Sequence, residues 1–176
     1  MSGHRTTADE PGPVLDGTLT RLRPVREQDL PELLAILDEP AVAEWWRRSE
    51  WERIDELGAE TFAIEFGSVV AGCIQYTEET DPDYFSAAVD IFVGTAAQGR
   101  GVGPDAMRTL IAWLFDVRGH HRLTVDPASE NARAIHVYEK LGFRPVGTLR
   151  RYERVEDGIW RDALLLELLA EDFKRA

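Results

Sequence analysis

Cysteine occurs once in this chain, at Cys73. That excludes an internal disulfide and any cysteine-built zinc centre. Cys73 sits among small and apolar residues, where an inert buried thiol is the ordinary reading. Histidine is nearly as sparse. His120 and His121 are adjacent and enter a strand-like run, so their rings point oppositely and do not readily share a metal. His4 lies in the N-terminal segment and His136 on a polar helix surface, and no metal site is expected. Long apolar runs are missing too: none approaches the ~20 residues of a membrane-spanning helix. The N-terminus lacks the basic-then-apolar order of a secretory signal, so the expected setting is cytoplasmic, with no membrane partner. Positive charge is scarce, with 20 Lys+Arg against 32 Asp+Glu and a formal net charge of −12. This argues against nucleic acid as a partner. It favours the approach of a polycationic substrate, although many acidic proteins are simply soluble.

What is present is ordinary globular material: 176 residues, 44% hydrophobic and 30% charged. That composition predicts one domain with a substantial core. Residues 1–16 lack periodicity and read as a disordered lead-in, leaving 17–176 as the domain. A strand is predicted over 18–25, then a helix over 28–37 with Leu30, Leu33, Leu34 and Leu37 on one face. Short helices follow at 41–47 and 50–57. Two strands, 61–66 and 69–76, flank the two-residue turn Gly67-Ser68. An acidic loop over 78–83 leads into a long strand, 84–93. Pro104 suits the first turn of a helix striped by Met107, Leu110, Ile111, Leu114 and Phe115. A short strand at 122–125 precedes a helix with Asn131 as N-cap and Gly142 as its stop. Strands at 143–154 and 159–168 surround Asp157-Gly158, although alternation over 163–170 is weak enough to admit a helix. The order predicts an α/β fold with a single mixed sheet covered by helices.

The segment Gln98-Gly99-Arg100-Gly101-Val102-Gly103-Pro104 carries the most chemistry. Three glycines in five residues let the backbone approach a ligand and aim several N–H groups one way. The helix behind them points its positive end at the same place. The spacing Q-x-x-G-x-G is neither G-x-G-x-x-G nor a P-loop, and glycine used only for turn geometry is the plain alternative.

A second segment decides between these. Asn131-Ala132-Arg133-Ala134-Ile135-His136-Val137-Tyr138-Glu139-Lys140-Leu141-Gly142-Phe143, together with the glycine loop, resembles the two signatures of the GCN5-related N-acetyltransferases. Within that superfamily the chain is most similar to the aminoglycoside 6'-N-acetyltransferases. The similarity rests on Glu44-Trp45-Trp46, Glu78-Glu79-Thr80-Asp81-Pro82, the Asp90 strand and Thr124-Val125-Asp126-Pro127. The Trp160-Arg161-Asp162 hairpin is more similar to acetyltransferases of protein N-termini.

The resemblance implies a mostly antiparallel sheet splayed at an acetyl-CoA site, with no metal. It implies that Gln98, Gly99, Arg100, Gly101, Val102 and Gly103 hold the pyrophosphate, Arg100 through its charge. Ile91, Phe92 and Val93 would line the pantetheine and hold the thioester oxygen, with Asn131 and Ala134 beside the arm. Acetyl transfer to an amine needs a neutral amine and a proton for the leaving thiolate. Asp90, sharing a face with Ala88 and Phe92, is assigned as amine-orienting group and base; a solvated edge carboxylate is the alternative. Tyr138 is assigned as the proton donor to sulfur, with core packing against Ile135 and Leu141 as its other job. Asp126 reads equally as an ammonium ligand or as turn chemistry with Pro127. Glu78, Glu79, Asp81 and Asp83 form a cation-binding rim if they border the cleft, and a solvated loop otherwise. Trp45 and Trp46 cannot share a helix face, so one should pack inside and one line the cleft. Trp113 and Trp160 read as packing residues.

The expected activity is acetyl transfer to the 6'-amine of an aminoglycoside, giving resistance, with a cationic small-molecule amine as partner. The alternatives are an acetyltransferase for protein N-terminal amines and a non-catalytic module that binds CoA or drug. The C-terminal strand offers an edge on which two copies could pair as a homodimer.

Overall fold

The computed structural model describes residues 12–48, 60–155 and 158–175. The helix expected at 50–57 lies outside the described residues, as does Asp157. The strands are β1 (Leu15–Asp16), β2 (Thr20–Pro24), β3 (Glu60–Phe66), β4 (Val69–Glu79), β5 (Ser86–Val93), β6 (Arg122–Val125), β7 (Arg144–Arg154) and β8 (Trp160–Leu169). Among the described residues they form one open sheet in the order β1-β2-β3-β4-β5-β6-β8-β7. Only β5 and β6 pair in parallel. The helices are α1 (Leu30–Leu37), α2 (Pro40–Ala43), α3 (Val102–Asp116) and α4 (Ala132–Leu141).

Side-chain alternation along β4 and β5 sorts the core into two layers. Ile74, Tyr76, Ala87 and Val89 face α3, whose Ala106, Met107, Leu110, Ile111 and Leu114 are almost fully buried. Trp113 packs edge-on to Phe62 and Tyr76 on this side. Cys73 and Phe92, directly opposite each other in register, face the other way and meet Leu33, Ile36, Leu37 and Val42 of α1 and α2. Burial pushes the Cys73 thiol far up, which keeps it inert.

Two elements differ from expectation, and a third, left open between strand and helix, is resolved. Leu15 and Asp16 pair with Leu22 and Arg21 as an edge strand, where a disordered lead-in was expected. Asp105 explains it, because its carboxylate accepts the amides of Thr18, Leu19 and Thr20 and the Thr20 hydroxyl, pinning the turn to α3. The second helix stops at Ala43 and does not reach 47. The C-terminal run is a strand throughout, because Ala163, Leu166 and Leu168 are buried and β8 is paired on both sides.

A buried ion pair ties α1 to the sheet. Arg23 donates to both Asp29 oxygens, at 2.6 and 2.9 Å, and to Glu65 at 2.6 Å. The hydrogen bond from Arg23 outweighs burial and holds the Asp29 carboxyl below its usual range.

Candidate active site

The site begins where the sheet comes apart. β5 and β6 share only the pairs Ala87↔Leu123 and Ala88↔Thr124, and beyond them Val89 to Val93 run along β4 alone. In a strand, the N–H and C=O of one residue point to the same side. Trp46 Nε1 donates to the Ile91 carbonyl at 3.1 Å and Gln98 Nε2 to the Val93 carbonyl at 2.8 Å. The amides of Ile91 and Val93 therefore turn into the gap as well.

The glycine loop closes one end. Gly99 and Gly101 have φ of 75° and 83°, left-handed values that disfavour any Cβ. Gly101 is the N-cap of the 15-residue α3 and supplies no side-chain cap. Asp105, the one acid in the first turn of α3, is committed to residues 18–20. The positive end of α3 is left facing the cleft without a side-chain anion. In contrast, α4 is capped in the usual way, with Asn131 Oδ1 accepting the Ala134 amide at 3.1 Å. Arg133, on the first turn of α4, donates to Gln98 Oε1 at 2.7 Å and so brings a guanidinium beside the loop.

A cleft of about 1050 Å3 runs through the gap. Asp90 and Gln75 line it from the α1–α2 face, where Phe92 also points. Tyr138 lines it from the α3–α4 layer, 7% exposed and packed against Phe143. The parting of β5 from β6 lets a carboxylate and a phenol on opposite faces of the sheet address one space. Burial, then the charges of Asp90 and Asp126, push the Tyr138 phenol well above its ordinary value. It therefore holds its proton at neutral pH.

The far wall comes from the β7–β8 hairpin. The register slips between Leu149 and Glu153, and Arg151 takes a positive φ of 50°. Asp162 Oδ1 accepts the Arg151 amide at 2.7 Å and holds this bulge. Next to it, the Tyr152 hydroxyl donates to Asp126 Oδ2 at 2.6 Å inside the cleft. That bond, then burial, raises the Tyr152 phenol also. Glu153 accepts from Arg161 at 2.7 Å and from Arg47 at 3.2 Å, and the Arg161 guanidinium lies 5.4 Å over the Trp45 ring.

Residues 20–144 match the model of the acetyltransferase (GNAT) domain. The chain belongs to the GNAT acetyltransferases. It is 29% identical over 153 residues to aminoglycoside N(6')-acetyltransferase type 1 of Klebsiella pneumoniae, covering 73% of this chain and 75% of the relative. It is 26% identical over 155 residues to spermidine N(1)-acetyltransferase of Escherichia coli, covering 82% of each. Among solved structures, RimJ of Mycobacterium smegmatis in complex with CoA-disulfide superposes with a TM-score of 0.79 at 26% identity. That likeness covers 94% of this chain and 90% of the other.

GNAT acetyltransferases use acetyl-CoA, and the residues of this cleft fit it. An uncapped helix N-terminus and Arg133 suit a diphosphate, and the strand edge at Ile91 and Val93 suits an amide-bearing arm. Of the residues expected from sequence, the structure gathers Trp45, Trp46, Asp90, Ile91, Phe92, Val93, Gln98, Gly99, Gly101, Val102, Gly103, Asp126, Asn131, Ala134 and Tyr138 around this one cleft.

Others are placed elsewhere. Arg100 is exposed, its guanidinium 4.7 Å over the Phe66 ring, and Arg133 stands at the loop instead. Glu78 turns away to bind Arg118 at 2.7 Å and His120 at 2.8 Å; burial works against it, but these bonds hold its carboxyl below the usual range. With Glu79 it lines a separate shallow notch, and Asp81 is exposed beyond β4, so the acidic loop is no rim of this cleft. Trp45 and Trp46 both line the cleft, and Trp46 also packs inward against Phe92 and the α1–α2 core, so the expected inward-packing tryptophan is Trp46. They lie past the end of α2, so helical geometry does not separate them. Sequence reading missed Gln75, Arg133, Tyr152 and Glu153. Arg133 was findable, two residues from the Asn131 cap inside the second signature.

Proposed function

We propose that this GNAT enzyme transfers acetyl from acetyl-CoA to a primary amine of a small polycationic substrate, the 6'-amine of an aminoglycoside being the preferred reading. One observation carries this: the cleft is walled by the carboxylates of Asp90 and Asp126 among Trp45, Trp46 and Tyr152. Carboxylates spaced around aromatic surface suit a ligand with several ammonium groups on an apolar frame. The two relatives named for aminoglycoside and spermidine acetylation support a cationic small molecule.

Bound acetyl-CoA supplies a thioester whose carbonyl carbon accepts a nucleophile and whose thiol is the leaving group. The substrate ammonium sheds one proton to solvent through Asp90. As the N–C bond forms and the C–S bond breaks, Asp90 takes a second proton from nitrogen. Tyr138 gives its phenolic proton to the departing sulfur and recovers one afterwards, so one proton in all reaches solvent. With acetyl-CoA bound, the Ile91 and Val93 amides that turn into the gap would supply donors to the thioester oxygen as it gains charge, and no covalent enzyme intermediate is needed.

The test is thiol release from acetyl-CoA across kanamycin, spermidine and alanine-initiated peptides. Turnover with kanamycin, and 6'-acetylated product by NMR, are the expected results. A preference for peptides would move the protein to N-terminal acetylation. Acetyl-CoA binding with no thiol release from any amine would make it a binding module.

A further inference from the structure

One buried group in the cleft has no role in the scheme above. Gln75 is only 8% exposed, yet its Oε1 has no hydrogen-bond partner among the described residues. The fold leaves this acceptor at a cost unless something else satisfies it. Gln75 lines the cleft and stands directly opposite Asp90 in the β4–β5 ladder. Directly opposed residues share a sheet face, with Cβ atoms about 4.5–5.5 Å apart. The Gln75 side chain and the Asp90 carboxylate thus stand side by side on one wall of the cleft, with Oε1 buried behind its surface.

We propose that Gln75 is a substrate-binding residue that seats the attacking amine and selects primary over secondary amines. This rests on the amine-acetylation reading and deepens it. A neutral primary amine has four tetrahedral directions: its carbon substituent, two N–H bonds and a lone pair. With one N–H on Asp90 and the other on Gln75 Oε1, the lone pair is directed at the thioester carbon. The N–H on Asp90 is the one lost as the N–C bond forms. The N–H on Gln75 is the one retained in the amide product, so Gln75 is neutral and takes no proton. A secondary amine has one N–H, which Asp90 must receive, and it leaves Gln75 unmatched.

Gln75→Leu, with Gln75→Met as a second apolar isostere, tests this in the full-length protein. The probes are kanamycin and spermidine, each beside its mono-N-methyl analogue at the acetylated nitrogen. Both variants should bind acetyl-CoA with unchanged affinity by calorimetry and unfold at or above the wild-type temperature. Their kcat/KM for the primary amine should fall roughly tenfold to a hundredfold, while that for the N-methyl amine changes little. Equal losses on both amines, no loss on either, or a drop of several degrees in Tm for both variants would each overturn the assignment. Wild-type protein that acetylates none of these amines would instead defeat the functional reading itself.

Discussion

The Tyr152 hydroxyl donates a 2.6 Å hydrogen bond to Asp126 Oδ2, joining a bulged strand to the loop that follows β6 across the mouth of the cleft. The phenol orients the carboxylate through Oδ2, and under the proposed function Oδ1 would receive the substrate cation. Tyr152→Phe should raise KM for a cationic amine by about two- to tenfold, the worth of one neutral-donor hydrogen bond, with kcat nearly unchanged. Asp126→Asn should raise it by roughly tenfold to a hundredfold, since it removes a charged acceptor. Steady-state kinetics at low and high salt check both, because the Asp126 contribution should shrink with ionic strength.

Asp90→Asn and Tyr138→Phe should act on turnover. Each is expected to lower kcat by about a hundredfold to ten-thousandfold, the usual range for a positioned acid or base. Calorimetry should find acetyl-CoA binding intact. Wild-type kcat in both variants would remove the two residues from the chemistry.

Gly101→Ala forces a Cβ onto a backbone with φ of 83°, 3.2 Å from Leu19 Cδ1. A non-glycine residue in the left-handed region costs about 1–2 kcal/mol. Loosening of the α3 N-terminus should weaken acetyl-CoA binding while KM for the amine stays near its wild-type value. Unchanged coenzyme affinity in this variant would count against the loop as the diphosphate site.

Asp29→Asn removes the bidentate carboxylate from the Arg23 guanidinium and leaves Glu65 as its remaining anionic partner. Arg23 is 6% exposed, so the loss should be on the order of 1–3 kcal/mol in urea unfolding at neutral pH. In the wild type, the Asp29 carboxyl titrates lower in the fold than in the unfolded chain. Its contribution is therefore complete above the ordinary aspartate range, near 4, and disappears as pH falls through the folded value. An acid-unfolding midpoint no higher in Asp29→Asn than in the wild type would refute that coupling.

The alkaline side has the opposite sign. Tyr76, Tyr138 and Tyr152 are all raised above the ordinary phenol value in the folded protein, the first two chiefly by burial and the third chiefly by its bond to Asp126. Unfolded phenols ionise first, near pH 10. Stability should hold up to about that pH and then decline toward the folded values. Thermal melts between pH 8 and pH 11 should show a shallower decline in Tyr138→Phe.

The glycine loop, the Asn131 cap and the alternation of Asp90 with Phe92 were legible because each is a local pattern. The cleft gathers most of the residues they pointed to. Tyr152 was not legible. Period-2 alternation would place it with Arg150 and Arg154, and the bulge at Arg151 breaks that phase through an amide bond to Asp162, eleven residues away in sequence. Gln75 was hidden for another reason: a glutamine in a strand looks like surface until its cross-strand neighbour and its burial are known. Glu78 misled in the reverse direction. Its sequence neighbours are acidic, but its partners, Arg118 and His120, come from the connection after α3. The tryptophan pair depended on where α2 ends, and helix boundaries are the least certain feature of any one-dimensional reading.

The indole of Trp46 is bonded to the Ile91 carbonyl and set 5.2 Å from the Phe92 ring, at the strand edge where the gap opens. Any guest that lays its own donors along that edge must share or displace the indole. The protein thus carries an optical gauge of its own: emission from Trp46 should change as the gap fills, and a Trp46→Phe variant should report nothing from this position. Occupancy could then be followed in milliseconds, without a label and before any acetyl group has moved.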